Sequence, residues 1–250
     1  MTLAIAAVAA LVLGAPGPLW LRLALLAALI AVGLDQAFRR VPAFDPLGRV
    51  HWHLPAASGV KRCALTFDDG PSPATAAVLD ILAAEKVPAT FFVLGANVER
   101  HPAVVQRARD EGHAVGIHGM SHAKLAGAAA DAIEQQVSGV TRVLRGLGVT
   151  PASIYRTPHG YKSSGVFDVA RRRGLTLWAW SRGVWDTDRP RPAVLVRRAT
   201  RFARSGMVLL LHDGRGHEPQ PDVQSMLTAL PAIIRELKQR GFTFVRVGDA

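Results

Sequence analysis

Cysteine is nearly absent from this 250-residue sequence, and the single residue, Cys63, excludes an internal disulfide. Acidic residues are also scarce: 19 Asp and Glu stand against 30 Lys and Arg, which gives a formal net charge of +11. Aromatic residues make up only 6% of the chain, they are not interleaved with the basic residues, and no nucleic-acid-binding motif accompanies the charge. The sequence therefore predicts no nucleic-acid partner.

Charge is almost missing from the first 34 residues, which are apolar from 3 to 13 and from 19 to 34 around a Gly-Ala-Pro-Gly-Pro break. We expect residues 1–36 to form a hydrophobic membrane segment, because a bilayer span needs about 20 apolar residues. Each apolar arm is short for a full span, so one bent span and a helical hairpin both remain open. A cleaved signal peptide is disfavoured, since the Met-Thr-Leu start carries no basic residue.

The membrane segment predicts a cell-membrane location of the bacterial type, with membrane lipid as a partner. Arg39 and Arg40 follow the second apolar arm, and basic residues favour the cytoplasmic side of a membrane segment. A single span with its amino terminus inside would instead place the rest of the chain outside. The side of the membrane that the domain faces stays open.

Residues 37–60 form a predicted linker that contains prolines and shows no hydrophobic periodicity. From 61 to 248, apolar runs of strand length alternate with segments of helical spacing. Such alternation predicts an α/β fold with parallel strands, and seven repeats would close into a barrel. The predicted strands cover residues 63–67, 90–94, 114–117, 153–156, 175–180, 208–211 and 242–247. The predicted helices cover residues 74–85, 104–110, 129–147, 164–173, 193–203 and 223–240.

The most informative motif is the Leu-Thr-Phe-Asp-Asp-Gly stretch that ends at Gly70. Asp68 and Asp69 close the first apolar run, and neighbouring side chains of a strand point to opposite faces. The two carboxylates can therefore do different work, one holding a metal and the other moving a proton. Because Asp and Gly are also ordinary turn formers, a solvated turn is the alternative for this motif taken alone.

Polar residues follow four other predicted strands at the point where each strand ends. They are His118 and His122 after the third strand, Arg156 to Tyr161 after the fourth, Trp180 to Asp186 after the fifth, and His212 with Asp213 after the sixth. The carboxyl ends of parallel strands meet on one face of a barrel, where active sites of that fold lie. We therefore expect these residues and the aspartate pair to form one site.

His118 and His122 are four residues apart, which brings both imidazoles to one side of a helix or a tight turn. With a carboxylate from Asp68 or Asp69, they would leave positions on a divalent ion open for water and substrate. Zinc takes such a set of ligands, and so does non-haem iron. The residues themselves leave the metal and the choice of carboxylate open.

These motifs together carry a resemblance to a known family. Residues 61–248 are similar to the polysaccharide deacetylases of the NodB-homology type, carbohydrate esterases that remove acyl groups from amino sugars. The shared motifs, in the family's order, are Thr66-Phe67-Asp68-Asp69-Gly70, His118 with His122, Arg156-x-Pro158, Trp180 to Asp186, and Leu210-Leu211-His212-Asp213. The resemblance implies a distorted (β/α)7-type barrel with an incomplete strand count, which agrees with the seven apolar runs.

The resemblance also implies roles for the residues that would carry the chemistry. By this resemblance Asp69, His118 and His122 bind one divalent metal, with Zn²⁺ as the first choice and Co²⁺ or Ni²⁺ as alternatives. Asp68 is then the general base that takes a proton from the attacking water. His212 is the general acid that protonates the leaving amine.

Two charged residues have supporting roles by the same resemblance. Arg156 would keep Asp68 ionised and oriented, and Asp186 would do the same for His212, because a nearby opposite charge favours the charged form. The segment around Asp186 lacks the middle acid and the trailing Trp that are common in the family. The choice of Asp186 over Asp188 therefore rests only on its six-residue distance from Trp180.

The remaining family positions concern the substrate pocket. The resemblance implies that the backbone N–H of His159, a position where the family often has Tyr, helps to bind the oxyanion. Trp180 and Leu210 would wall the pocket that receives the acyl methyl group. Arg182 has no family role, so a solvated loop residue and a substrate clamp are its two interpretations.

The resemblance predicts a hydrolase of amide bonds that removes an N-acyl group, acetyl first, from a cell-wall polysaccharide or a lipid-linked glycan. One alternative is a deformylase or deacetylase of a lipid-linked sugar at the cytoplasmic face. Another is a non-catalytic glycan-binding descendant that keeps only the fold. An iron oxygenase is disfavoured, because that chemistry does not need the second Asp or His212. The arginines at 171–173 and 197–204 are a solvated face or an attraction for anionic headgroups.

Overall fold

The structure is a computed structural model that describes Gly14 and residues 17–40 and 49–249. Helix α1 spans Leu19–Arg40. The predicted membrane segment lies partly outside the described residues, namely at 1–13 and 15–16. Across the described ranges, no helix combines the length and the apolar character that crossing a membrane requires.

The strands form a curled parallel sheet. They are β1 (Lys61–Asp68), β2 (Thr90–Leu94), β3 (Ala114–Gly119), β4 (Ile154–Tyr155), β5 (Thr176–Leu177), β6 (Arg182–Gly183), β7 (Met207–His212) and β8 (Phe242–Phe244). Their order in the sheet is β5-β4-β3-β2-β1-β7-β6, and β8 pairs with the beginning of β1. Every one of these pairings is parallel. The predicted α/β fold with parallel strands is thereby confirmed, in the form of a curled half-barrel.

Helices follow the strands and cover the sheet. They are α2 (Thr75–Glu85), α3 (Gly95–Arg100), α4 (Pro102–Asp110), α5 (Ala130–Gly146), α6 (Ser164–Arg172), α7 (Pro192–Thr200) and α8 (Gln224–Gln239). In α8 the buried residues Leu230, Ile233, Ile234 and Leu237 recur at helical spacing and face the core. Burial of each such side chain contributes about 1.5–3 kcal/mol, so this face holds the helix on the sheet.

Two short elements differ from the sequence-based expectation. Helix α3 follows β2 directly and strand β6 has two residues, and neither was predicted, because so short a segment shows no usable periodicity. The predicted strand at 175–180 is shorter than expected, since only Thr176–Leu177 pairs with β4. All three differences lie beside the site described below.

A segment within the predicted linker, residues 51–54, bonds to the open side of the sheet. His51 accepts a hydrogen bond from Ala179 N at 2.9 Å and donates its own N–H to Leu177 O at 2.8 Å. Further along, Leu54 N donates to Gly206 O at 2.9 Å. These bonds join the end of β5 to the beginning of β7, so the segment completes the wall of the barrel.

Candidate active site

A cavity of about 400 Å³ opens at the carboxyl ends of β1, β3 and β7. Strands β1 and β7 pair in a register that sets Asp68 opposite His212. Arg156 and Asp186 lie behind the cavity wall, bonded to Asp68 and His212 respectively. The other predicted residues all line the cavity: Asp68, Asp69, His118, His122, His159, Trp180, Leu210 and His212. The structure therefore brings every predicted site residue together.

The adjacent carboxylates of Asp68 and Asp69 face different partners. Asp68 is the last residue of β1, and its Oδ1 accepts a hydrogen bond from Arg156 at 2.7 Å. Asp69 leaves the strand with φ 72°, a left-handed conformation that Asp tolerates better than most residues. This turn directs the Asp69 carboxylate away from Arg156 and toward the two histidines.

Asp69, His118 and His122 form a compact group of candidate metal ligands. Asp69 Oδ1 lies 3.3 Å from His118 Nε2 and 3.0 Å from His122 Nε2, and the three ligand atoms lie within 4.8 Å of one another. The chain reaches this arrangement by a turn, since β3 ends at Gly119 and His122 has φ 49°. The four-residue spacing thus brings the two imidazoles together through a bend in the chain and not through a helix.

The donor set of this triad fits a divalent cation. His118 Nδ1 lies 2.7 Å from the carbonyl oxygen of Arg156, a bond that fixes the proton on Nδ1 and leaves the Nε2 lone pair facing Asp69. Asp69 Oδ1 is buried and has no hydrogen-bond donor among the described residues. An acceptor oxygen and imidazole lone pairs that converge without a donor are satisfied by a metal ion. We therefore identify the triad as a candidate metal site.

The charges of the triad keep the carboxylate ionised. Burial by itself raises the pKa of Asp69, but the adjacent imidazoles of His118 and His122 outweigh burial and hold the pKa well below its ordinary value. Gly216 N also donates to Asp69 Oδ2 at 3.0 Å. Asp69 is consequently an anion in the neutral range, the state that a metal ligand requires.

Arg156 holds Asp68 in a fully buried ion pair. The guanidinium is 1% exposed and lies 4.1 Å from the centre of the Phe92 ring. Its Nη1 donates to Asp68 Oδ1 and to Thr66 Oγ1, and its Nη2 donates to Ala179 O at 2.6 Å. These bonds occupy one carboxylate oxygen of Asp68 and leave Oδ2 directed at the cavity, 3.9 Å from His118 Nε2.

Asp186 holds His212 by both its side chain and its backbone. Asp186 Oδ1 lies 2.9 Å from His212 Nδ1, and Oδ2 accepts the backbone N–H of His212 at 2.7 Å. Burial lowers the pKa of His212, but the Asp186 carboxylate outweighs burial and raises the pKa to about 9. Asp188 is exposed and makes no such contact, so the geometry supports Asp186 as the partner of His212.

Replacing Asp186 with asparagine is expected to move the alkaline limb of the pH–activity profile toward lower pH. The folded-state pKa of His212 lies above the ordinary value of 6.5, so His212 stays protonated until the pH approaches about 9. Without the carboxylate, burial alone remains and the imidazolium is lost at lower pH. The profile of kcat/KM against pH measures this shift. Asp188→Asn is the matched control, and an equal shift in both variants would contradict the assignment.

The residues predicted to surround the acyl group lie on the other walls of the cavity. His159 has φ 59° in a short 3₁₀ turn, and its ring centre is 4.4 Å from that of His122. Leu210 is buried at 9% exposure and faces the cavity from β7. Trp180 stands edge-on to Trp52 at 6.5 Å, so the 51–54 segment supports this wall. Arg182 does not line the cavity, which disfavours its interpretation as a clamp on the acyl sugar.

Two supporting residues were not predicted from the sequence. Asn97, on helix α3, donates from Nδ2 to the carbonyl oxygens of Asp69 at 2.6 Å and Gly216 at 2.9 Å. Gln136, on α5, accepts the backbone N–H groups of Met120 and Ser121 at 2.9 Å and so braces the turn between the two histidines. Each side-chain amide bonds to backbone groups that are distant in sequence, and no local pattern signals such contacts.

Asp213 is a further buried residue without a predicted role. Its Oδ2 accepts a hydrogen bond from Thr75 Oγ1, its carbonyl accepts one from Ser72 Oγ, and burial raises its pKa to about 7. A Cβ at Gly70 would lie 2.1 Å from Asp213 Oδ2, and one at Gly214 would lie 2.3 Å from the carbonyl oxygen of Asp69. The repeated Asp-Gly at 69–70 and 213–214 was the available signal for this close contact.

Comparisons with known proteins agree with this geometry. A family model described as polysaccharide deacetylase matches residues 56–178. A peptidoglycan-N-acetylglucosamine deacetylase of Bacillus cereus is 34% identical over 208 residues, covering 82% of this chain and 94% of the relative. A chitooligosaccharide deacetylase of Rhizobium leguminosarum bv. trifolii is 35% identical over 195 residues, covering 75% and 91%.

A solved structure shares the fold as well as the sequence. The crystal structure of the Bc1960 peptidoglycan N-acetylglucosamine deacetylase, in complex with 4-naphthalen-1-yl-N-oxidanyl-benzamide, superposes with a TM-score of 0.72 at 30% identity. The match covers 79% of this chain and 91% of that one.

Proposed function

The chain belongs to the polysaccharide deacetylase family and is a hydrolase of amide bonds in amino-sugar polymers, and we propose that it removes N-acetyl groups from N-acetylglucosamine units of a cell-wall glycan. The observation that carries this proposal is the Asp69–His118–His122 triad, flanked by Asp68 on one side and His212 on the other. The relatives named above act on peptidoglycan and chitooligosaccharides, which supports a glycan of N-acetylglucosamine as substrate.

We propose that the triad holds Zn²⁺, because two imidazoles and one carboxylate are a common ligand set of catalytic zinc. Co²⁺ and Ni²⁺ are the alternatives that the same ligands accept. A bound divalent ion polarises the acyl oxygen and lowers the pKa of its water. The buried and unpartnered Asp69 Oδ1 supports the presence of such an ion.

The residues on either side of the triad would perform the two proton transfers. Asp68 is fixed by Arg156 at Oδ1, and its Oδ2 is free to accept a proton from the attacking water. His212 is held protonated by Asp186 and would donate its proton to the leaving sugar nitrogen. His212 thus starts in the protonation state that a general acid needs at neutral pH.

The cavity walls would orient the acyl group between these residues. Leu210 and Trp180 present apolar surface that suits the methyl of an acetyl group. The backbone N–H of His159, in its left-handed turn, would donate to the developing oxyanion. A small apolar wall opposite a polar base and acid favours acetyl or formyl over longer acyl groups.

We also propose that the protein acts at the cell membrane. Helix α1 exposes large apolar side chains, with Leu19 at 63% and Trp20 at 70% exposure. Continuous exposed apolar surface of this kind marks an interaction site, and a lipid surface would cover it. A carboxyl-terminal reporter fusion that is active on only one side of the membrane would determine which side the domain faces.

The proposed function is tested by assaying release of acetate and formate from N-acetylglucosamine oligomers, from peptidoglycan and from a lipid-linked amino sugar. We expect acetate release that a chelator abolishes and added Zn²⁺ restores. Formate release would favour an N-formyl sugar as substrate. Activity on the lipid-linked sugar alone would favour that sugar over the cell-wall glycan. A protein that binds Zn²⁺ and glycan but releases neither acid would overturn the proposal in favour of a non-catalytic binding protein.

A further inference from the structure

A second cavity, of about 270 Å³, lies at the amino end of β7 and is called here the Arg182–Arg204 cavity. Met207 begins β7 and lines this cavity, whereas His212 ends β7 and lines the catalytic one. The six residues of the strand separate the two by about 16 Å. The cavity is lined by His53, Ser181, Arg182, Phe202, Arg204, Ser205 and Met207. This lining combines two guanidinium groups, an imidazole and two hydroxyls, with no carboxylate among the described lining residues.

The charges of the two arginines are not compensated by the protein. Within residues 17–40 and 49–249, neither Arg182 nor Arg204 forms a salt bridge with a carboxylate. The Nη2 of Arg182 donates to Phe202 O at 3.1 Å, which fixes the guanidinium at the cavity. Its Nε is buried and has no acceptor among the described residues. A buried donor on a fixed cation is unfavourable until an anionic ligand accepts its hydrogen bond.

The surface around the cavity is also strongly basic. Residues 182–204 contain seven arginines and two aspartates, a net charge of +5. Phe202 is 58% exposed, and its ring lies 4.9 Å from the Arg201 guanidinium and 5.8 Å from that of Arg182. An exposed aromatic ring between cations is typical of surfaces that contact the headgroup region of a bilayer.

The path of the chain connects this cavity with the apolar helix α1. His53 follows the end of α1, at Arg40, by 13 residues. Thirteen residues span at most about 45 Å even when fully extended, so the cavity stays within that distance of any surface on which the end of α1 lies. The exposed apolar side chains of α1 and the basic cavity are thus two features that suit the same lipid surface.

We propose that the Arg182–Arg204 cavity binds a phosphate group, and that this phosphate belongs to the headgroup of an anionic glycerophospholipid. The guanidinium fork matches phosphate oxygens in geometry and charge, and the hydroxyls of Ser181 and Ser205 add polar groups to the wall. The volume is below the roughly 300–1,000 Å³ of clefts for drug-sized ligands, which suits a headgroup. The proposal goes beyond the deacetylase activity and does not depend on it.

The test uses the full chain and two matched double variants. Arg182→Gln/Arg204→Gln removes the two cavity charges, and Arg142→Gln/Arg145→Gln removes two exposed charges from α5. Co-sedimentation is measured with vesicles of phosphatidylcholine alone and with equimolar phosphatidylglycerol. Because α1 would contribute to the binding of both kinds of vesicle, the ratio of the two binding constants measures the contribution of the cavity. We expect this ratio to fall about tenfold for each guanidinium removed from the cavity, and to stay within about twofold in the control.

A second measurement, calorimetry with soluble glycerol phosphate, distinguishes the sources of the phosphate. Preference for anionic vesicles, lost only in the cavity variant, supports the proposal. Binding of glycerol phosphate without any vesicle preference would overturn the lipid assignment. An equal loss in both double variants would show attraction by net charge alone and would overturn the site itself.

Folding of the cavity variant is checked by its Zn²⁺ affinity, which we expect to match that of the unmodified chain. This control also separates the proposal from the deacetylase function, since Zn²⁺ binding reports the catalytic triad. If Arg182→Gln/Arg204→Gln fails to fold, Arg204→Gln alone decides, because that side chain is exposed. An unchanged vesicle ratio in this single variant would contradict the proposal.

Discussion

Replacing Asp68 with asparagine is expected to reduce kcat for deacetylation by about 10²–10⁴-fold while Zn²⁺ remains bound. The amide has the size of the carboxylate but cannot accept the proton of the attacking water. Arg156 keeps this side chain in position, so the loss reflects basicity more than geometry. Steady-state acetate release measures the rate, and calorimetric titration of the metal-free protein measures Zn²⁺ affinity. A variant that retains full activity would exclude Asp68 as the base.

Stability must be measured in the same variant, because Asp68 neutralises a buried cation. Breaking one side of a buried ion pair costs about 3–5 kcal/mol, and Arg156 is 1% exposed. The double variant Asp68→Asn/Arg156→Met should therefore be more stable than the sum of the two single effects predicts. If the double variant recovers stability but not activity, loss of the base and loss of folding are separated.

Replacing His118 with alanine is expected to abolish Zn²⁺ binding at micromolar metal and, with it, deacetylation. His118 supplies one of three ligand atoms, and its removal should cost more affinity than the about 10–100-fold lost with an outer-shell partner. Calorimetric titration of the metal-free protein measures the affinity. His101→Ala, which changes a histidine between α3 and α4, should bind Zn²⁺ like the unmodified chain.

The result that would contradict this assignment is tight Zn²⁺ binding by the His118→Ala protein. In that case the metal would have other ligands, and His159, whose ring lies near that of His122, would be the next residue to replace. Loss of Zn²⁺ binding in both His118→Ala and His101→Ala would point to a folding defect, which circular dichroism checks independently.

The sequence was sufficient for the parts of the fold that repeat a pattern. Strands β1, β2 and β3 and helices such as α2 and α8 have enough residues for their apolar spacing to be visible. Elements with few residues, such as β6 and α3, carry no such spacing, and hydrogen bonds to distant segments define them. The hydrogen bonding of residues 51–54 is of the same kind, because the prolines and glycine around it indicate only irregular chain.

The site residues were predictable where their position at a strand end was sufficient to place them. Asp68, Asp69, His118 and His212 lie at the carboxyl ends of strands, and parallel strands end on one face. Spacing alone did not separate Asp186 from Asp188, and only the distance to His212 does so. The contact of Asp213 with Gly70 was not predicted, because its only sequence signal is the repeated Asp-Gly and it joins positions 143 residues apart through the absence of a side chain.

The 51–54 segment has a practical consequence for isolating the catalytic domain. A fragment that began at Lys61 would leave the C=O groups of Leu177 and Gly206 and the N–H of Ala179 without their partners and open to solvent. Uncovered strand edges pair with other chains, so such a fragment would be prone to aggregate. It would also lose the Trp52 ring that supports Trp180. The smallest soluble catalytic unit therefore starts before residue 51, well upstream of the first strand.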